Sequence, residues 1–411
     1  MPIPKLDDYA PTIGPELVSE IRMLGQRFKE KSIKNVNSTF VGGGVAEILN
    51  RLVPLLNEMG INAGWEVIKG GEDFFKVTKA FHNALHGARV RITKKMFDIH
   101  AAYNEENARH MDLSSDVMVI HDPQPVGLIK ARSKNSKRWL WRCHIDVTYA
   151  HRGVWNYLEP YINMYDASIF TSPSFAKQLP IPQFMITPSI DPLSDKNMEL
   201  PPEYIDMVLE KYGIPRDKPL VAQISRYDRL KDPVGAIKAF KMARRYVDCR
   251  LLLVGSGASD DPEGAEVLNE VKEAAAGDQD IIILYIPPSE TLSMEVNALQ
   301  RAATIILQKS IREGFALTVT EALWKARPVI ASNVGGIPLQ VLHNLTGVLV
   351  HSIEGCANQI RYLISNPEFA AKLGQNGREH IRRNFLLTRH LKDYLLLLVA
   401  IEHRGENIVS L

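Results

Sequence analysis

Two runs, Leu251-Leu252-Leu253-Val254 and Ile281-Ile282-Ile283-Leu284-Tyr285-Ile286, are apolar at successive positions rather than at alternate ones. A strand with one face in water alternates apolar and polar residues. A strand that is apolar throughout needs cover on both faces, as in a parallel sheet sandwiched between helices. Such runs alternate with helical patterns from end to end. In the first half the pattern predicts strands near 34–40, 64–68, 116–120, 139–143, 167–170 and 184–187, with helices near 45–59 and 73–86 among others. In the second half it predicts strands at 220–224, 250–254, 281–285, 303–307, 328–331 and 347–350. Helices fit 233–246, 263–276, 290–301, 316–325 and 354–365. An amphipathic set (Leu17, Ile21, Leu24, Phe28) adds one helix near the start. The fold class this implies is α/β, built as two doubly wound, Rossmann-like units.

Length agrees with two units, because 411 residues exceed one ordinary core. The stretch 189–219 carries five prolines and mixed charge and reads as a connection holding one short helix at 203–211. The domain boundary is placed there, at 195/196. A net charge of +2 gives no global field for nucleic acid. The longest apolar runs, such as 395–401, fall far short of a membrane span, and no charged-then-apolar leader opens the chain. Three widely spaced cysteines, Cys143, Cys249 and Cys356, make neither a disulfide framework nor a metal knuckle. The cytoplasm is the expected compartment.

The chemistry points to one stretch above all. Glu313 precedes Gly314 in a loop, and Glu321 lies eight residues on, inside the helix predicted at 316–325. A strand–loop–helix–strand unit aims the helix N-terminus, with its unpaired N–H groups, at whatever occupies the loop. That end suits an anion, while a carboxylate beside it suits the neutral hydroxyls attached to the anion. Phosphate flanked by hydroxyls describes a sugar nucleotide. Arg226 and Lys231 sit in a second loop, after the first strand of the second half, where open α/β sheets bind ligands. An Arg fork and a compact Lys charge together suit a diphosphate. Gly42-Gly43-Gly44 lies between the first strand and its helix and allows close backbone approach to a phosphate, although no Lys-Ser or Lys-Thr follows to make a nucleotide-binding P-loop. His121-Asp122 and His144-Ile145-Asp146 each end a predicted strand and offer donors and acceptors for sugar hydroxyls.

Other patterns carry less. Leu253-Val254-Gly255-Ser256-Gly257 begins like a dinucleotide fingerprint, but Asp260 stands where the third glycine belongs. Asp278-Gln279-Asp280 fits a turn before a strand. His82 and His86 share a helix face without a further ligand. Trp139 and Trp141 read as packing residues, and Arg132, Lys134, Lys137 and Arg138 as a solvated loop.

Taken together, the Glu-x7-Glu unit (EGFALTVTE), the Arg-x4-Lys pair (RYDRLK) and the glycine loop resemble the retaining glycosyltransferases of family 4, with Asn333-Val334-Gly335-Gly336-Ile337-Pro338 also similar. Their fold is GT-B, two Rossmann-like domains facing across a cleft. HDPQP at 121–125, WRCHID at 141–146 and ASDDPEG at 258–264 resemble the trehalose synthase and phosphorylase branch, and within it the glycosyltransferring synthases. The resemblance implies that Arg226 and Lys231 hold the donor diphosphate, that Glu321 binds the ribose and that Glu313 contacts glucose hydroxyls. Backbone N–H groups of Gly314, Phe315, Ala316, Leu317 and Thr318 would bracket sugar and phosphate, and Gly43 and Gly44 would close over the phosphate. His144 would meet the donor sugar near the reacting carbon. Asp122 would orient the acceptor, with His121 and Asp146 competing for that task. A C-terminal helix near 389–402 would cross back, giving an acceptor domain of 1–195 plus 389–411 and a donor domain of 196–388.

The implied reaction moves glucose from ADP-glucose or UDP-glucose to the anomeric hydroxyl of glucose with retention. Arg226, Lys231, Glu313 and His144 would carry the chemistry by a front-face route. The expected partners are the nucleotide-glucose and glucose, with no nucleic acid and no membrane. No tightly bound cofactor or protein metal site is expected, magnesium accompanying the nucleotide in solution, and a homodimer suits an enzyme of this size. Trehalose phosphorolysis, transfer to glucose 6-phosphate or another sugar, sugar-nucleotide epimerisation and simple nucleotide-sugar binding stand as alternatives.

Overall fold

The computed structural model describes residues 3–40, 43–132, 138–255 and 262–403. The chain divides into two units, Met1–Ser189 with Leu387–Leu411, and Ile190–Leu386. Each is organised on one six-stranded sheet whose paired strands are all parallel.

The first sheet comprises β1 (Ser32–Asn37), β2 (Asn62–Val67), β3 (Val117–His121), β4 (Arg138–Arg142), β5 (Ala167–Phe170) and β6 (Gln183–Met185), in the order β2-β1-β3-β4-β5-β6. The second comprises β7 (Leu220–Ile224), β8 (Arg250–Gly255), β9 (Ile281–Tyr285), β10 (Ile305–Gln308), β11 (Val329–Ser332) and β12 (Val348–Val350), in the order β12-β11-β10-β7-β8-β9. β7, β8, β10 and β11 are buried at every residue, whereas β9, at an edge, ends exposed. Continuous apolar sequence thus marks the covered inner strands but not them alone, since the equally apolar β9 is only partly buried at the sheet edge. In each sheet the strand order reverses once, between β1 and β3 and between β7 and β10. Such a switch point opens a crevice at the carboxyl ends of the strands.

The strands lie within a few residues of their predicted positions, and the predicted early helix runs Pro15–Gln26 with Val18, Ile21 and Leu24 buried. Helix Lys94–His110 is less visible in sequence. Its buried residues are His100, Asn104 and Asn107, a polar stripe at helical spacing that hydropathy does not detect. Those side chains bond to backbone, His100 to Pro123 O at 2.9 Å, Asn104 to Gln124 O at 2.9 Å and Asn107 to Lys69 O at 2.7 Å. Residues 190–219, read as a connection, are tied into the second unit. Asn297 Nδ2 donates to Asp195 O (3.0 Å) and Met198 O (2.8 Å), and Trp324 Nε1 donates to Asn197 O. The C-terminal helix Leu387–Glu402 belongs to the first unit. It buries Leu391, Tyr394, Leu395 and Leu398, while Arg389 donates to Thr187 O at 2.9 Å. Among the described residues no helix is long and apolar enough to cross a membrane.

Candidate active site

In the second unit the loops after β7 and β10 meet at the switch point. Lys231 and Glu313 form a close ion pair there, both largely buried. The same carboxylate oxygen accepts from Ser310 Oγ (3.2 Å) and Gln308 Nε2 (3.4 Å). Gln223, at the carboxyl end of β7, locks the two loops together. Its Nε2 donates to Lys231 O at 3.0 Å and its Oε1 accepts from Lys309 N at 3.2 Å. Asp232, in the left-handed region at φ 48°, caps helix Pro233–Ala243 through Gly235 N and also meets Lys309 Nζ at 3.3 Å. Lys231 is therefore presented by a sharply turned, doubly anchored loop.

Past Glu313 the chain makes another sharp turn. Ala316 adopts φ 70°, a costly conformation for a residue with a side chain, and starts helix Leu317–Trp324. Gln340 holds that turn, donating to Phe315 O and accepting from Thr320 Oγ1 at 2.6 Å. The Gly335-Gly336 step packs directly on the Glu313–Gly314 backbone, Gly336 N donating to Gly314 O at 3.1 Å. A β-carbon on Gly335 would lie 1.6 Å from Glu313 O, so only glycine fits. The result is a carboxylate, an ammonium and the positive end of a helix in one rigid loop cluster, suited to an anion that carries hydroxyls.

In the first unit the switch point carries a different polar cluster. His121 ends β3 and His144 follows β4. Their rings are nearly parallel, with centroids 5.3 Å apart, and His121 Nδ1 lies 3.0 Å from His144 Nε2. Asp122 takes φ 65° and accepts the His144 backbone N–H at 2.7 Å, so the two strand ends are stitched together. Behind them the buried Arg142 donates to Phe170 O at 3.1 Å and to Ile186 O. Burial pushes the His121 imidazolium down to about 3, with the Arg142 cation adding to the effect. His144 falls well below its ordinary range for the same two reasons, so both rings are neutral. Burial raises the Asp122 carboxyl to about 7, against the opposing pull of the His144 N–H and Arg142.

The expected residues do not all converge. Lys231 joins Glu313, and His121 joins His144 and Asp122. Arg226 projects into solvent on the β7 loop, its guanidinium 3.7 Å from Asp228. Glu321 is buried in a separate set, accepting from Gln300 Nε2 at 3.0 Å and lying 3.7 Å from Lys196 Nζ. Asp146 folds onto its own loop, its carboxylate taking Thr148 N at 3.0 Å. Gly43 (φ 83°) caps helix Gly44–Glu58, with open space where a side chain would stand; Gly42 lies outside the described residues. So do Ser256, Gly257, Asp260 and residues 258–261 of the ASDDPEG stretch. Of the basic set, Arg132 and Arg138 pair with Asp166 at 2.9 and 3.7 Å, and Lys134 and Lys137 lie outside the described residues. Trp139 and Trp141 are fully packed. Sequence reasoning missed Gln223, Gln308, Gln340, Asn35 and Arg142. For Gln223, Gln308 and Arg142 the available signal was a polar residue at or near the end of a largely apolar strand; Asn35, inside a mixed strand, and Gln340, in a short helix, gave none.

Two family models match the chain, "Trehalose synthase, N-terminal domain" over residues 35–177 and "Glycosyl transferases group 1" over residues 206–380. The trehalose synthase of Pyrococcus horikoshii is 43% identical over 399 residues, covering 96% of each chain. The trehalose phosphorylase of Pleurotus pulmonarius is 26% identical over 464 residues, covering 99% of this chain but 62% of that one. Among solved structures, the UDP-forming α,α-trehalose-phosphate synthase of Burkholderia xenovorans, in complex with glucose-6-phosphate, aligns over 89% of this chain and 99% of its own. Its TM-score is 0.70 at 14% identity, which shows a shared GT-B fold. With a relative this similar along nearly its whole length, the chain belongs to the trehalose synthase family of group 1 glycosyltransferases and is a hexosyltransferase.

Proposed function

We propose that this enzyme transfers glucose from a nucleotide-linked glucose to the anomeric hydroxyl of free glucose, with retention, giving α,α-trehalose. The observation that carries the reading is the Lys231–Glu313 pair at the β7/β10 switch point, beside the helix end turned by Ala316. The ammonium serves the diphosphate and the carboxylate serves the hydroxyls of the hexose attached to it. Arg226, free to swing from its exposed position, adds a second cation on the same loop. Glu321 takes the ribose by exchanging Lys196 or Gln300 for hydroxyls. Gly43 and Gly44 present backbone to the phosphate, and Gly314 through Thr318 bracket sugar and phosphate. His144 meets the sugar near its reacting carbon and Asp122 orients the acceptor, while His121, bonded through both ring nitrogens, supports His144 from behind.

In the reaction the bond from the anomeric carbon to the diphosphate oxygen breaks and a bond to the acceptor oxygen forms on the same face. The acceptor proton passes to the departing diphosphate. Lys231 and Arg226 stabilise the charge that grows on the leaving group, a contribution of about 10²–10³ in rate for a single donor of this kind. The neutral His121–His144 pair suits this role, since it bonds hydroxyls without competing for the diphosphate.

Incubation with ADP-glucose or UDP-glucose and a panel of acceptors, followed by identification of the sugar formed, tests the proposal. The expected product is trehalose with release of the nucleoside diphosphate. Product formed only from trehalose and inorganic phosphate would instead favour the phosphorylase reading, which the weaker and partial match to the Pleurotus enzyme supports less well. A product with the mass of the donor would indicate epimerisation.

A further inference from the structure

The His121–His144 pair has a direction, and that direction reaches back to the C-terminal helix. His121 Nε2 lies 3.0 Å from Asn35 Oδ1 in β1. The same amide oxygen accepts the hydroxyl of Tyr394, from helix Leu387–Glu402, at 3.2 Å. Asn35 Nδ2 is buried and makes no hydrogen bond among the described residues. Tyr394, Arg142 and both histidines line one cavity of about 20 Å³, which has room for a water-sized group and not for a sugar.

The proton positions along this chain follow from its first donor. The Tyr394 hydroxyl donates to Asn35 Oδ1 at 3.2 Å. An amide group that receives that proton presents oxygen there, so it also accepts from His121 Nε2–H. His121 Nδ1 is then bare and accepts from His144 Nε2–H. His144 Nδ1, which makes no hydrogen bond among the described residues, is left without a proton.

We propose that Tyr394 is a positioning residue which, through Asn35 and His121, holds His144 in the tautomer protonated at Nε2, so that His144 Nδ1 accepts a hydroxyl of the sugar. The role of the acceptor atom rests on the assignment of His144 to the substrate in the proposed function; the tautomer does not. Because burial keeps both imidazoles neutral, the variable the relay controls is the site of the proton and not the charge.

Long-range proton–nitrogen correlation spectra of the full chain labelled with 15N-histidine read the tautomers in the unliganded protein. Both rings are expected to be protonated at Nε2 and bare at Nδ1. Tyr394→Phe and Asn35→Leu should each give mixed tautomers at His144. With the two forms equally populated, kcat/KM for glucosyl transfer falls about twofold, by the fraction of competent molecules. Protonation at His144 Nδ1 in the wild-type protein, or unchanged histidine spectra in both variants, overturns the relay. Spectra that change as expected while transfer rates do not would keep the relay and remove His144 from the sugar. Absence of transfer with any nucleotide-glucose would sink the proposed function, and the spectra alone would then decide whether the relay stands.

Discussion

Gly335→Ala isolates the contribution of loop geometry from that of charge. The new β-carbon would stand 1.6 Å from Glu313 O and 2.7 Å from Glu313 C, where real β-carbons essentially never come within 3.0 Å of another heavy atom. The Glu313 loop must yield by more than 1 Å, and its neighbour Gly314 is bonded to the same segment through Gly336 N. Glu313 then leaves Lys231, and the carboxylate proposed to bind hydroxyls is displaced from the ammonium. A misplacement of that size costs about 10²-fold in rate. A second cost comes from the backbone, since Gly335 sits at φ 56° and alanine there loses roughly 1–2 kcal/mol. Gly213→Ala separates the two costs. Gly213 has φ 62° and nothing within 4 Å of its would-be side chain, so it carries the strain without the collision. Both variants should melt at a lower temperature than the wild-type protein. Steady-state release of nucleoside diphosphate should fall about 10²-fold for Gly335→Ala and remain unchanged for Gly213→Ala. If Gly335→Ala keeps kcat/KM within about threefold of Gly213→Ala, the premise that activity depends on this loop to within an ångström is wrong.

Three other perturbations act on charge. Lys231→Ala should lower kcat by about 10²–10³ and should leave Glu313 without its ion-pair partner, which donor-binding calorimetry and rate measurements together resolve. Burial depresses the Lys325 ammonium from 10.5 to about 7, although it donates to Asn197 Oδ1 at 3.1 Å and Glu321 O at 3.2 Å. Between those two values the unfolded chain binds the extra proton, so stability rises with pH across the window. Lys325→Met should lack that rise, and chemical denaturation at pH 7 and pH 10 reads it; parallel profiles for the two proteins would refute the burial argument. Asp122 has the opposite sign. Its carboxyl, raised from 3.8 to about 7, gives the folded state the extra proton in that interval, so stability falls as pH rises through it. Asp122→Asn still accepts the His144 N–H and should flatten the fall.

The amino-acid sequence exposed the sheets more fully than the sites. The inner strands of the second sheet advertise themselves as apolar runs, whereas β1 (SIKNVN), β2 (NAGWEV) and β4 (RWLWR) interleave polar residues and carry a weaker signal. Helix Lys94–His110 was not legible because its inward stripe is His100, Asn104 and Asn107, which offset the cost of burial by bonding to loop carbonyls. Among site residues, Lys231 and Glu313 were legible because two charged side chains in loops after strands have few structural reasons to be there. Asp146 was not separable from its neighbours in sequence, because an aspartate after a strand looks the same whether it faces a ligand or bonds its own loop, as Asp146 does at Thr148 N. Which residue supports which, the work of Gln340, Gln223 and Asn35, depends on contacts between segments far apart in sequence and leaves little local trace.

One local trace does exist, and it recurs in both units. At the amino ends of β4 and β8 the polar residues are charged and pair outward, Arg138 with Asp166, and Arg250 with Asp217 at 2.5 Å. At the carboxyl ends near the switch points they are mostly neutral and buried, Asn35, Asn37 and His121 in the first sheet and Gln223, Gln308 and Ser332 in the second. A buried neutral polar group costs about 1–3 kcal/mol unless it is bonded. Asn35 bonds His121, Asn37 bonds Trp65 and Thr39 O, and Gln223 bonds the backbone of Lys231 and Lys309, but Asn35 Nδ2 and Gln308 Oε1 have no partner among the described residues. Apolar side chains of similar size would remove that cost if only packing mattered. Amides, hydroxyls and neutral imidazoles match the neutral hydroxyls of a sugar, whereas a charged residue would demand a counter-ion. On the proposed function, the neutral polar residues at these carboxyl ends are where a chain built on packed parallel sheets gives up stability to hold a carbohydrate.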